Sequence, residues 1–204
     1  MKGSNRISIQ ENKLWPTQLW TTRLEHFCRQ PRKVSENEDM INYIISDYEN
    51  NSKIIEKSNR YGGWQSDTDY YKRPVFKNLC DKIWAVSKAA FPMIKSMQIK
   101  QMWGAINWEN SFNLIHQHGG PNHISGGYYL QVPENSGNIY WRDPRPAAIG
   151  NHFINRLIDG GENKQMCPTE GDLVMWPSFL DHGTYPSRSK DPRIMISFDL
   201  IYQY

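Results

Sequence analysis

Asn113-Leu-Ile-His116-Gln-His118-Gly-Gly-Pro-Asn-His123-Ile-Ser125-Gly-Gly-Tyr-Tyr129-Leu-Gln131 is the stretch on which the reading of this chain turns. In extended backbone alternate side chains share a face, so His116 and His118 can aim two imidazoles at one point, as metal ligands do. The glycines that follow permit a sharp turn and leave space beside the rings, and Ile124 to Val132 reads as a strand. A third ligand must come from a distant segment. Gly171-Asp-Leu-Val-Met-Trp-Pro-Ser-Phe-Leu-Asp-His182 supplies a histidine at the end of an alternating run.

The last extended segment is the most regular. Arg193, Met195, Ser197 and Asp199 alternate with Ile194, Ile196, Phe198 and Leu200, so one face is polar and the other packs on a core. On the polar face, Arg193 and Ser197 can hold a carboxylate, the guanidinium through a charge-assisted fork and the hydroxyl through one further donor. The opposing reading, a solvent face on an outer strand, has the same alternation.

The remaining chain is read around these segments. From Gln98 onward, runs at 99–108, 112–118, 124–132, 137–141, 172–176 and 193–202 are separated by Gly, Pro and Asn turns, which predicts a mainly β fold of two sheets or a barrel. Before them, residues 1–13 are polar, Leu14 to Thr21 predicts an edge strand, and Ser35-Glu-Asn-Glu38 has the spacing of a helix capping box. Met40, Ile41, Ile44, Ile45 and Tyr48 continue at helical spacing to Asn50. A second helix runs from Pro74 through Leu79, Ile83 and Val86 until Phe91-Pro92. Two intervals are predicted as loops: 58–71, anchored by Trp64, and 142–168, a flap over the site mouth with a short helix near 153–158.

A chain of 204 residues suits a single domain, here residues 1–97 as strand and supporting helices and 98–204 as the β core. A formal charge of +3 without a basic block points away from nucleic acid. No apolar run reaches the roughly 18 residues of a membrane span, so no membrane partner is expected. Cys28, Cys80 and Cys167 are odd in number and widely spaced, which predicts reduced thiols and a cytoplasmic setting.

Taken in order, these motifs resemble the iron(II) and 2-oxoglutarate dependent dioxygenases. They are His116-x-His118, Ser125-Gly-Gly-Tyr-Tyr-Leu-Gln-Val-Pro-Glu-Asn-Ser-Gly137, Asp143-Pro-Arg145, Glu170-Gly-Asp-Leu-Val-Met-Trp-Pro-Ser178, His182 and Pro192-Arg-Ile-Met-Ile-Ser-Phe198. The likeness covers about residues 58–204, including Gly62-Gly-Trp-Gln-Ser66, and is nearest to a phage and bacterial group related to prolyl 4-hydroxylases. It implies a double-stranded β-helix (jelly roll, cupin-like) in the cytoplasm of a bacterium or phage-infected host. It implies iron(II), 2-oxoglutarate as co-substrate and dioxygen, with His116, His118 and His182 as iron ligands. Arg193 and Ser197 would hold the far carboxylate of the co-substrate. Ser125 and Tyr129 fall where prolyl hydroxylases have a threonine and a tyrosine beside it, and Asn113 where they often have another tyrosine. Succinate and CO2 would be released as a peptidyl residue or a metabolite is hydroxylated.

The sequence departs from the superfamily at the usual His-x-Asp, where His118 replaces the carboxylate. Three neutral imidazoles leave iron(II) with two positive charges where a carboxylate ligand leaves one. Asp143 and His123 are the alternatives for that ligand position, whereas Asp181 is poorly placed because adjacent strand residues point to opposite faces. His26 and His152 have no partner pattern. Two other function classes stay open: a three-histidine cupin-type dioxygenase that does not use 2-oxoglutarate, and a non-catalytic jelly-roll binding module. The sequence also leaves a homodimer open.

Overall fold

The alternating face of the last strand organises the molecule. In the computed structural model, which describes residues 16–24, 36–51, 60–145 and 163–203, it is one of eleven strands among the described residues. These are β1 (Trp20–Arg23), β2 (Arg60–Tyr61), β3 (Trp64–Gln65), β4 (Ser96–Asn107), β5 (Phe112–His116), β6 (Ile124–Gln131), β7 (Ile139–Arg142), β8 (Asn163–Met166), β9 (Asp172–Pro177), β10 (His182–Thr184) and β11 (Arg193–Gln203). One antiparallel sheet has the order β1-β9-β6-β11-β4-β3 and the other β2-β5-β10-β7-β8. They form the two walls of a jelly roll.

β11 lies at the centre of the larger sheet, paired with β4 along its whole length and with β6 on its other side. Ile194, Ile196, Phe198 and Leu200 are fully buried against the helices, joined by Met102 and Ile106 of β4 and Tyr128 and Leu130 of β6. The alternate residues look the other way, between the sheets. Period-two alternation thus builds a core on one side and a cavity wall on the other.

Two helices cover the outer face of the larger sheet. α1 (Glu36–Asn50) carries Glu36, Glu38 and Asp39 in its first turn, where the helix dipole favours negative charge, and buries Asn37, Met40 and Ile44 along one stripe. The buried Asn37 is satisfied, accepting from the Tyr128 hydroxyl at 2.8 Å and donating to Glu170. α2 (Lys77–Ala90) follows a 3-10 turn at Pro74–Phe76 and buries Leu79, Ile83 and Ser87. It stops at Phe91 because the residue before Pro92 avoids helical backbone. No helix among the described residues is long and apolar enough to cross a membrane.

Several expectations change. The 58–71 segment is not a plain loop: β2 and β3 add one short strand to each sheet. Trp64 is buried, donates its indole N–H to the Asn51 carbonyl at 3.0 Å and packs on Tyr48, so it plugs the core. The expected 142–168 flap begins with Arg142 still in β7 and ends with β8, a polar edge strand that the sequence pattern did not reveal. Pro16 precedes β1, which starts only at Trp20 and does lie at an edge. Ser35 of the capping box, Leu14 and Trp15, the short helix at 153–158, His26, His152 and Cys28 lie outside the described residues. Cys80 and Cys167 are free thiols.

Gly126 of β6 shows how tightly the neighbouring strands of the larger sheet pack around it. A Cβ there would meet the Phe198 ring at 2.4 Å and the Val174 carbonyl at 2.8 Å, whereas one at Gly119 would meet nothing within 4 Å. Gly126→Ala is therefore expected to cost about 1–3 kcal/mol through overpacking, and Gly119→Ala less than about 0.5 kcal/mol. Urea unfolding of the two variants measures the difference.

Candidate metal and co-substrate site

His116 closes β5 and His182 opens β10, and these two residues are directly paired across the smaller sheet. His182 also pairs with Trp141 of β7 on its other side. His118 lies just beyond β5, where its N–H donates to the Ser178 carbonyl at 3.0 Å. The three ring centroids are 4.4 to 5.3 Å apart, and one ligand atom from each lies within 4.8 Å of the others.

Each ring has a hydrogen-bond acceptor behind it. His116 Nδ1–H donates to the Leu114 carbonyl at 2.8 Å, His182 Nδ1–H to the Leu180 carbonyl at 2.9 Å, and His118 Nδ1–H to Asp199 Oδ1 at 2.6 Å. With Nδ1 as the donor, the neutral form of each ring has a bare lone pair on Nε2. The Nε2 atoms of His116 and His118 face one another at 3.4 Å. Burial, with the neighbouring rings adding to it, holds His182 down at a pKa of about 3, and burial also lowers that of His116. Two lone pairs at this distance without a proton between them call for a cation.

The rings line a cavity of about 490 Å³ between the sheets. Its wall includes Gln101, Trp103, Ala105 and Asn107 of β4, and Arg193, Met195, Ser197 and Asp199 of β11. Arg193 is only 1 % exposed. One Nη donates to the Gly137 carbonyl at 2.6 Å while its buried Nε has no partner, and no carboxylate pairs with it among the described residues. Burial lowers the pKa of this guanidinium and pushes that of the Tyr129 phenol up to about 12. Tyr129, also on the wall, has a buried hydroxyl without a partner. An unpaired buried cation is costly, so this end of the cavity is built for an anion.

Of the residues singled out in the sequence, His116, His118, His182, Arg193, Ser197, Tyr129 and Asn113 line this one cavity. Ser125 does not. It stands behind His118, donating its hydroxyl to Asp199 Oδ1 at 2.7 Å and lying 2.9 Å from Ser178 Oγ. The alternatives for the His118 position are placed elsewhere: Asp143 forms a two-point ion pair with Arg145, at 2.9 and 2.5 Å, and His123 Nδ1 accepts the Tyr202 N–H at 3.0 Å. Sequence reasoning assigned no role to Asp199, although its parity with Arg193 and Ser197 already put it on the polar face.

Residues 101–199 match the family described as "Putative 2OG-Fe(II) oxygenase". This jelly-roll core belongs to the 2OG-Fe(II) oxygenase family. Oxygenases of this family depend on iron(II) and 2-oxoglutarate. Among similar solved structures is a viral collagen prolyl hydroxylase from Paramecium Bursaria Chlorella virus-1, as its 2OG complex (14 % identity, 89 % of this chain and 94 % of that one, TM-score 0.60). Another is a Pseudomonas putida prolyl-4-hydroxylase (12 %, 92 % and 94 %, TM-score 0.61). A third is HygX from Streptomyces hygroscopicus with nickel and 2-oxoglutarate bound (12 %, 92 % and 84 %, TM-score 0.61). At these identities they share the fold. No curated protein sequence matches the chain.

The residues fit what a 2OG-Fe(II) oxygenase requires. Imidazole nitrogens suit iron(II), and these three would hold it from one side of the cavity. The unpartnered Arg193 Nε and Tyr129 hydroxyl are donors waiting for an oxyanion.

The histidine burial has a measurable consequence. In the metal-free protein His182 stays neutral down to about pH 3, whereas in the unfolded chain it takes up a proton near its ordinary value of 6.5. Between those values the unfolded state binds more protons, so stability falls as pH falls. The urea midpoint of the metal-free protein is expected to drop more steeply from about pH 7 to about pH 4 than that of His182→Gln. Equal slopes contradict the burial of a neutral ring.

Proposed function

We propose that this oxygenase holds iron(II) through His116, His118 and His182, seats 2-oxoglutarate against Arg193, and hydroxylates a peptidyl residue or a small metabolite. The balanced reaction is 2-oxoglutarate, dioxygen and substrate C–H to succinate, CO2 and substrate C–OH. The observation that carries the reading is a fully buried Arg193, with no carboxylate partner among the described residues, on the same cavity wall as three inward-facing imidazoles. A three-histidine oxygenase without a keto-acid co-substrate, or a purely structural module, gives no reason to bury that charge unpaired.

Iron(II) bound there supplies the activation of dioxygen that couples decarboxylation of the keto acid to oxidation of the substrate. The chain's own residues do the rest. Arg193 offers its fork to the distal carboxylate of the co-substrate, with the Tyr129 and Ser197 hydroxyls as further donors on the same wall. Asn113 is held in place by Thr184, whose hydroxyl accepts the Asn113 N–H at 2.9 Å. Trp103, Trp176 and Met195 wall the cavity and limit the entry of water. The carboxamides of Gln101, Asn107, Gln117 and Asn122 also line it and suit a neutral substrate that donates and accepts hydrogen bonds.

Replacing Arg193 by Met keeps the bulk and deletes the charge. Arg193→Met is expected to weaken 2-oxoglutarate binding by about 30-fold or more, the loss typical of removing one partner of a buried charged pair, while iron(II) affinity stays within about threefold. Anaerobic calorimetric titration of the iron-loaded protein reads both constants, and unchanged keto-acid affinity contradicts the proposal. Screening succinate release over peptides and metabolites then sorts the substrate classes.

A further inference from the structure

Behind His118 lies a carboxylate that the sequence motif does not contain. Asp199 is 2 % exposed, and its Oδ1 accepts from His118 Nδ1 at 2.6 Å and from the Ser125 hydroxyl at 2.7 Å. Ser125 Oγ is in turn 2.9 Å from Ser178 Oγ; with the Ser125 proton committed to the carboxylate, Ser178 is the donor in that contact. The sheet fixes this cluster: Asp199 sits directly opposite Ser125 in the β11–β6 register, and the β11–β4 pairing shifts immediately after Asp199. A register shift of that kind re-aims a side chain. His116 and His182 have only backbone carbonyls in the equivalent place.

We infer that Asp199 is the negative charge of this metal site, delivered through the His118 ring instead of by direct ligation. The inference rests on the three-histidine reading above and deepens it. A carboxylate on Nδ1 fixes the tautomer that leaves Nε2 free, stops rotation of the ring and makes Nε2 a stronger donor to a metal. Asp199 and a metal on Nε2 occupy opposite edges of one imidazole, so Asp199 is a positioning residue and not a ligand. The replacement of the usual facial carboxylate by His118 is thereby offset: the charge is moved one ring outward, and Ser125 and Ser178 keep it from turning. This also accounts for Ser125, which does not line the cavity but touches Asp199 and His118 from behind.

Asp199→Asn is nearly isosteric and keeps an acceptor for the Nδ1–H while deleting the charge. Cobalt(II) affinity, measured by competition with a chromogenic chelator, is expected to fall about 10- to 100-fold, with a changed ligand-field spectrum. In zinc-loaded, 15N-histidine-labelled protein, the His118 Nδ1–H proton is expected far downfield and to move upfield in Asp199→Asn. The unaltered protein's signal tests the hydrogen bond even if the variant does not fold, and Ser125→Ala, which leaves the carboxylate in place, gives a smaller loss of affinity. Cobalt affinity within about twofold of the parent, a His118 Nδ1 without a proton, or an Asp199 oxygen bonded to the metal overturns the inference alone. Failure of the unaltered protein to bind cobalt overturns the three-histidine reading and the inference with it.

Discussion

The structure depends on three imidazoles being turned the same way. Each gives its Nδ1–H to a fixed acceptor, the Leu114 carbonyl, the Leu180 carbonyl or the Asp199 carboxylate, and each is left with a lone pair on the inward nitrogen. None of these acceptors is free to move. Leu114 lies within β5, Leu180 two residues before β10, and Asp199 in the central strand of the larger sheet. The pairing of His182 with His116 brings two rings together, and His118, two residues beyond His116, is held there by its backbone bond to Ser178 and its ring's bond to Asp199 of the larger sheet. A jelly roll is well suited to this because its two walls meet the cavity from opposite directions.

A second constraint complements the first. Arg193 is buried on the cavity wall with part of its fork unsatisfied, a state that costs free energy until an anion arrives. The metal end and the cationic end of one cavity together specify a ligand with a chelating head and a distal carboxylate. The match of residues 101–199 to the 2OG-Fe(II) oxygenase family agrees with that chemistry. The protein supplies position and dryness, and the bound groups supply the redox steps.

Much of this was legible in the sequence because period-two alternation survives wherever a strand separates a core from a cavity. β4, β6, β9 and β11 are of that kind, and their extents were close to those expected. The elements that escaped are short or polar: β2 and β3 have two residues each, β10 has three, and β8 is Asn-Lys-Gln-Met at a sheet edge. Such strands are made by their partners, not by their own pattern. The cavity residues followed the same division. Arg193, Ser197 and Asp199 share parity and could be grouped from sequence, but Ser125 could be separated from the co-substrate wall only through the cross-strand register that sets it opposite Asp199. Sequence parity says which face a residue occupies, and register says what it meets there.

The most direct measurement is an anaerobic titration of the purified protein with iron(II) and then 2-oxoglutarate, followed by visible absorption. One iron per chain is expected, followed by a weak charge-transfer band that grows only when the keto acid is added and is absent in His182→Ala. An iron-loaded protein whose spectrum does not change with 2-oxoglutarate, or one that takes up no iron with all three histidines intact, contradicts the account.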